Sequence, residues 1–276
     1  MEGKNESEKV FEQYLDSNGF QGRWTYEPSI PGKSKKPDYM LNWKGNKCFF
    51  EVKELRKKPN QPAGRAMYFD PYPSLRSEID EARKKFKEYK DYSCSLVVFN
   101  VDDRQARLDP LTVFGAMLGN LGVTMDFNSV EGRAVAGTER NVFLDGGKMI
   151  NGKRVQPQNT TISAIIVLNE FRDNREREKA LIEEMKKQGR EFTVAEKLDM
   201  RMRLCENHHV RNVPRIIIMD NPFARAAFPE DLFNGPFDER WRWRKDDGKI
   251  TRVFVGDRLE EYETLQGESE ALDPKC

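Results

Sequence analysis

Three short apolar runs limit what this chain can fold into: SLVVFNV at 95–101, ISAIIVL at 162–168 and RIIIMD at 215–220. Runs of this length and content suit strands buried on both faces rather than strands with one wet side. Between the second and third lie two charged stretches of helical character, 175–189 and 193–209. A further helix is expected at 74–92, where Leu75, Ile79, Ala82, Phe86 and Tyr89 are spaced four, three, four and three. Elements that alternate in type favour an α/β or mixed fold over a sandwich or a bundle.

Upstream, SEKVFEQYLDSN reads as a first helix with Val10, Phe11, Tyr14 and Leu15 as its apolar stripe and Gly19 as a stop. Glu8 sits at the border of that stripe, as either a first-turn acid favoured by the helix dipole or an acid facing a cavity. A hairpin follows in KPDYMLNWKGNKCFFEVKE, 36–54. With Gly45 and Asn46 as a two-residue turn, Trp43 opposes Cys48, Leu41 opposes Phe50 and Tyr39 opposes Val52. The other face then pairs Asn42 with Phe49, Met40 with Glu51, and Asp38 with Lys53. Cβ atoms directly across such a pair lie about 5 Å apart and diagonal neighbours about 7 to 8 Å, so Asp38 and Glu51 can share one cation. The same letters also suit an amphipathic surface hairpin whose wet face carries ordinary charges.

Composition narrows the partners. The 276 residues include 47 basic and 46 acidic ones, so nucleic-acid contact must come from a local patch rather than from net charge. No apolar run approaches the roughly 20 residues of a membrane span, and the polar start MEGKNESEKV argues against a signal peptide. Cys48, Cys94, Cys205 and Cys276 lack CxxC spacing, which fits reduced thiols in a cytoplasmic protein.

Glu8 on a helix, Pro37-Asp38, and Glu51-Val52-Lys53, in that order and spacing and followed by a helix and a strand, resemble the PD-(D/E)XK nuclease superfamily. The likeness covers about the first hundred residues. It implies a restriction-endonuclease-like core: a mixed β-sheet flanked by helices, with C-terminal helical and strand elaborations. It further implies that Asp38, Glu51, the main-chain carbonyl of Val52 and Glu8 hold Mg2+ or Mn2+, with Lys53 beside the ion. By the same resemblance the chain is a metal-dependent nuclease acting on DNA rather than RNA, in defence, restriction or repair, and a homodimer is left open. The alternative is a nucleic-acid-binding or scaffold protein that keeps the fold without turnover.

Substrate grip is expected from lysines and arginines flanking the hairpin: Lys33, Lys35 and Lys36 before it, and Arg56, Lys57 and Lys58 after it. A stripe of Arg76, Arg83, Lys87 and Lys90 on the next helix is either a second contact surface or a solvated face. In ERWRWRK the tryptophans suit a strand with Trp241 and Trp243 packed inward better than base stacking. His208 and His209 have no partner cluster and read as helix-end or surface residues. The domain expectation is one nuclease-like unit over 1–260, with the core motif at 8–101 and elaborations at 102–260, and a flexible acidic tail at 261–276.

Overall fold

A computed structural model describes residues 3–56, 72–101, 108–128, 132–135, 140–151, 156–190, 192–207, 210–246 and 248–271. The chain opens with α1 (Glu6–Ser17), β1 (Trp24–Tyr26), β2 (Tyr39–Trp43) and β3 (Asn46–Leu55), followed by α2 (Pro73–Phe86), a 3-10 turn (Lys87–Tyr89) and β4 (Ser93–Asn100). After α3 (Pro110–Leu118) come six short strands, β5 (Leu121–Thr124), β6 (Phe127–Asn128), β7 (Arg133–Ala134), β8 (Arg140–Phe143), β9 (Ile150–Asn151) and β10 (Gln156–Pro157). The C-terminal part adds β11 (Ala164–Asp173), α4 (Arg175–Gln188), α5 (Val194–Asn207), β12 (Arg211–Asp220), β13 (Glu239–Trp243), β14 (Ile250–Val255) and α6 (Asp257–Ala271).

Among the described residues eight strands form one mixed sheet in the order β1-β2-β3-β4-β11-β12-β13-β14, and the six short strands form three separate two-stranded ladders. β3, β4 and β11 run parallel, while β2 pairs antiparallel with β3 and β12 antiparallel with β11. The three apolar runs lie in β4, β11 and β12, at the centre of this sheet. Alternate residues of each enter two different cores, which is why the runs show no wet face. Leu96, Val98, Ile165, Val167, Ile217 and Met219 pack with Leu75, Ile79, Ala82 and Phe86 of α2 and with α3. Val97, Phe99, Ile166, Leu168, Ile216 and Ile218 pack on the other face with Phe11, Tyr14 and Leu15 of α1 and with Phe228, Leu232 and Phe233.

The hairpin register differs from the sequence expectation by two residues. Lys44 and Gly45 form the turn, and Tyr39 pairs with Phe50, Met40 with Phe49, Leu41 with Cys48 and Trp43 with Asn46. Both turn residues have positive φ, 48° and 82°, the backbone of a tight turn that follows the twist of the strands and needs glycine most at its second position. A slip of two keeps every side chain on its expected face.

One further expectation meets a different arrangement. The acidic tail set off at 261 begins inside α6, because Glu261 is paired with Arg175 at 2.8 Å and Lys179 at 2.7 Å on α4. Residues 272–276 lie outside the described residues. Trp241 and Trp243 do pack inward, against the α2–α3 core. Among the described residues no helix is long and apolar enough to cross a membrane. Cys48 and Cys94 are buried free thiols, and His208 and His209 lie outside the described residues.

One buried acid ties the two ends of the chain together. Asp238, 1% exposed, accepts hydrogen bonds from the Tyr14 hydroxyl at 2.5 Å, Gly235 N at 2.7 Å and Ile216 N at 3.0 Å. Burial, opposed by those donors, pushes its pKa up to about 6 from an ordinary 3.8. The folded state therefore holds the proton more tightly than the unfolded chain. This contribution to stability is full below the unfolded pKa and is lost as pH rises through about 6. The free energy of unfolding of wild type relative to Asp238→Asn should accordingly be larger at pH 5 than at pH 7.5, by about 1 kcal/mol. Urea titrations of both proteins at the two pH values check this, and a pH-independent difference contradicts it.

Candidate functional site

The hairpin, α2 and β4 meet where Asp38 precedes β2. Pro37 is buried, and the Asp38 carbonyl accepts from Glu27 N at 2.7 Å, which fixes the backbone at the entry to the strand. The Asp38 side chain is half-buried, and its Oδ2 accepts from Val52 N at 2.8 Å. One step beyond the Tyr39–Phe50 pair, the register sets Asp38 across from Glu51 rather than from Lys53. Both acids lie on the α2 face of the sheet, the face shared by Met40 and Phe49.

Glu51 is only 2% exposed. A bare carboxylate at that depth is costly, so cations must accompany it. Lys53, two residues along the same strand face, lies 2.8 Å from Oε1. The second cation comes from α2: Lys85 Nζ is 2.6 Å from Glu51 Oε1, 2.5 Å from Oε2 and 2.9 Å from Asp38 Oδ1. Burial, reinforced by Asp38, raises the Glu51 pKa, against the pull of both lysines. Burial works to lower the pKa of Lys53 and of Lys85, but the two carboxylates outweigh it and both ammonium groups are raised. Both lysines are therefore charged at neutral pH.

Among the residues expected in the site, Asp38, Glu51 and Lys53 come together and Glu8 does not join them. Glu8 closes a capping box: its Oε2 accepts from Asn5 N at 2.8 Å while the Asn5 side chain accepts from Glu8 N. Its Oε1 accepts from the Tyr26 hydroxyl at 3.2 Å. The helix that carries it packs its apolar side on the opposite core. Among the described residues no group of three or more His, Cys, Asp or Glu is placed to hold a metal ion.

Any metal site here would draw its side-chain ligands from two carboxylates, Asp38 and Glu51. The donor set still fits a hard cation. Three carboxylate oxygens, Asp38 Oδ1 and both of Glu51, already converge within 2.5 to 2.9 Å of one positive nitrogen.

The expected grip residues differ in their surroundings. Lys36, Arg83, Lys87 and Lys90 are exposed, and Lys35 is exposed with its Nζ donating to the Lys84 carbonyl at 2.8 Å. Arg56 is held by Glu54 at 2.6 Å, Lys33 donates to the Glu88 carbonyl at 2.5 Å, and Lys57 and Lys58 lie outside the described residues. Arg76 is engaged within the fold. Its guanidinium donates to the Gly115 carbonyl at 3.1 Å and Asn120 Oδ1 at 2.7 Å and stacks on Tyr72, and so fastens α2 to α3.

Farther across the sheet, at the end of β4 and alongside β11, β12 and β13, an open cleft of about 530 Å3 is lined by Asn100, Asp109, Asn169, Arg215, Glu239 and Trp241. Among the described lining residues the one arginine, Arg215, pairs with Glu239 at 3.1 Å.

Sequence reasoning missed Lys85. The signal available was its position next to Phe86 and three residues after Ala82, at the margin of the apolar stripe of α2. Set against known protein families, curated proteins and solved structures, the chain matches none.

Proposed function

We propose that the protein is a metal-dependent nuclease that hydrolyses phosphodiester bonds of DNA, with a restriction-endonuclease-like core formed by α1, β1, β2, β3, α2 and β4. The observation that carries this reading is the convergence of Asp38 and Glu51 on a single cation position with Lys53 alongside. The order of the first six elements, with an acid at the entry to β2 and Glu-x-Lys on β3, agrees with the resemblance noted in the sequence. DNA as the substrate class comes from that resemblance.

Asp38, Glu51 and the Val52 carbonyl would hold Mg2+ or Mn2+, which when bound offsets charge on the scissile phosphate and lowers the pKa of a coordinated water. The rest of the chemistry belongs to the chain. Lys53, fixed on β3 beside Glu51, presents a positive charge where a phosphate oxygen or an incoming water would lie, and its rigid strand position lets it act without reorganisation. Asp38 Oδ2 is held by Val52 N, so Oδ1, the oxygen that meets Lys85, keeps a constant direction. The exposed Lys36, Arg83 and Lys87 offer phosphate contacts that add affinity without reading sequence.

A second reading has its own observation. The Lys85 ammonium between the two acids is also what a closed ion-pair network in a non-catalytic nucleic-acid-binding protein would contain. The two readings separate in one assay. Purified protein is incubated with supercoiled plasmid, single-stranded DNA, branched DNA and RNA in Mg2+, in Mn2+ and in excess chelator. The nuclease reading expects cation-dependent cleavage of at least one DNA form. Binding without cleavage in either cation favours the second reading.

A further inference from the structure

We infer that Lys85 is the built-in counter-cation of the Asp38–Glu51 pair in the metal-free protein, and that loading the site with a divalent ion requires its ammonium to leave. The inference rests on the nuclease reading and adds a positioning residue to it.

The geometry distinguishes Lys85 from Lys53. Lys53 approaches a single oxygen, Glu51 Oε1, at 2.8 Å, from the same strand. Lys85 reaches in from α2 and touches three oxygens of two residues, so its nitrogen stands where a shared ion would stand. Charge supports the same assignment. Asp38 and Glu51 together carry two negative charges, and Lys53 and Lys85 supply two positive ones, so the buried cluster is already neutral. A divalent ion added with both ammonium groups in place would leave a double positive excess beside the buried Glu51, and the like charges would oppose it. Displacing Lys85 halves that excess and frees the oxygens the ion needs.

The side chain can make that move. Its side chain is 28% exposed, and the flexible four-carbon stem lets the ammonium swing toward water without moving α2. Lys85 thus lets Glu51 stay buried as a carboxylate before an ion arrives, at the expense of apparent metal affinity, because ion and ammonium compete for the same oxygens.

Two measurements on the full-length protein test this. Calorimetric titration with Mn2+ should show Lys85→Met binding the ion about tenfold or more tighter than wild type. In wild type, an amine-acetylating reagent followed by peptide mass mapping should modify Lys85 several-fold faster in saturating Mn2+ than without it, with the exposed Lys36 as the internal reference. The labelling decides the matter if Lys85→Met does not fold. If wild type binds Mn2+ but Lys85→Met binds no tighter and Lys85 labelling is unchanged, the inference is overturned and the nuclease reading stands. If neither protein binds Mn2+, the nuclease reading fails and takes the inference with it.

Discussion

Asp38→Ala is expected to abolish divalent-cation binding in calorimetry and to reduce phosphodiester cleavage by about a thousandfold or more, a loss of roughly 4 kcal/mol in transition-state stabilisation. The substitution removes one of the two carboxylates that meet at the cation position among the described residues. It also takes away the acceptor of Val52 N and one of the three oxygens around Lys85. The remaining acid, Glu51, would then be matched by two lysines, and the cluster would turn net positive, which disfavours a cation further. A thermal melt of the same preparation separates this loss from unfolding: the account requires a folded protein that neither binds Mn2+ nor cuts. Cation binding at wild-type strength in Asp38→Ala would remove Asp38 from the site.

Lys53→Ala should behave in the opposite way toward the ion. Deleting a positive charge 2.8 Å from Glu51 leaves the cation position more negative, so Mn2+ should bind at least as tightly as in wild type. Cleavage should still fall by about a hundredfold to a thousandfold, the scale of losing one preorganised electrostatic contact to the transition state. The combination of retained binding and lost turnover identifies Lys53 as acting on the reacting phosphate or water rather than on the metal. Nicking rates at saturating Mn2+ for wild type and Lys53→Ala measure it. Equal rates would leave Lys53 with no part in the reaction.

How far the sequence led can be judged from particular residues. The face on which Asp38, Glu51 and Lys53 lie was legible because side chains alternate along a strand, and alternation survives a register error of two. The register itself was not legible. Both Lys44-Gly45 and Gly45-Asn46 make short turns, and the choice falls to whole-hairpin packing, here the placement of Tyr39 and Leu41 against α1. The capping role of Glu8 was in the letters all along: Asn5 followed three residues later by Glu8 is a helix-start signature that uses up the glutamate. Lys85 could not be found the same way, since its role depends on how α2 packs over β3, a contact between segments more than 30 residues apart. Arg76 and the acidic stretch from 261 misled for a related reason. Charged residues read as exposed when their partners, Asn120 and the Gly115 carbonyl in one case and Arg175 and Lys179 in the other, are distant in sequence.

The claim that Asp38 and Glu51 form a cation site serving phosphodiester hydrolysis is tested most directly by plasmid nicking in Mg2+ with wild type, Asp38→Ala and Glu51→Gln purified in parallel. The account predicts nicking by wild type that stops with chelator and is absent from both variants, which also excludes a contaminating nuclease common to all three preparations. Nicking of equal rate in all three, or none by folded wild type in either Mg2+ or Mn2+, would contradict it.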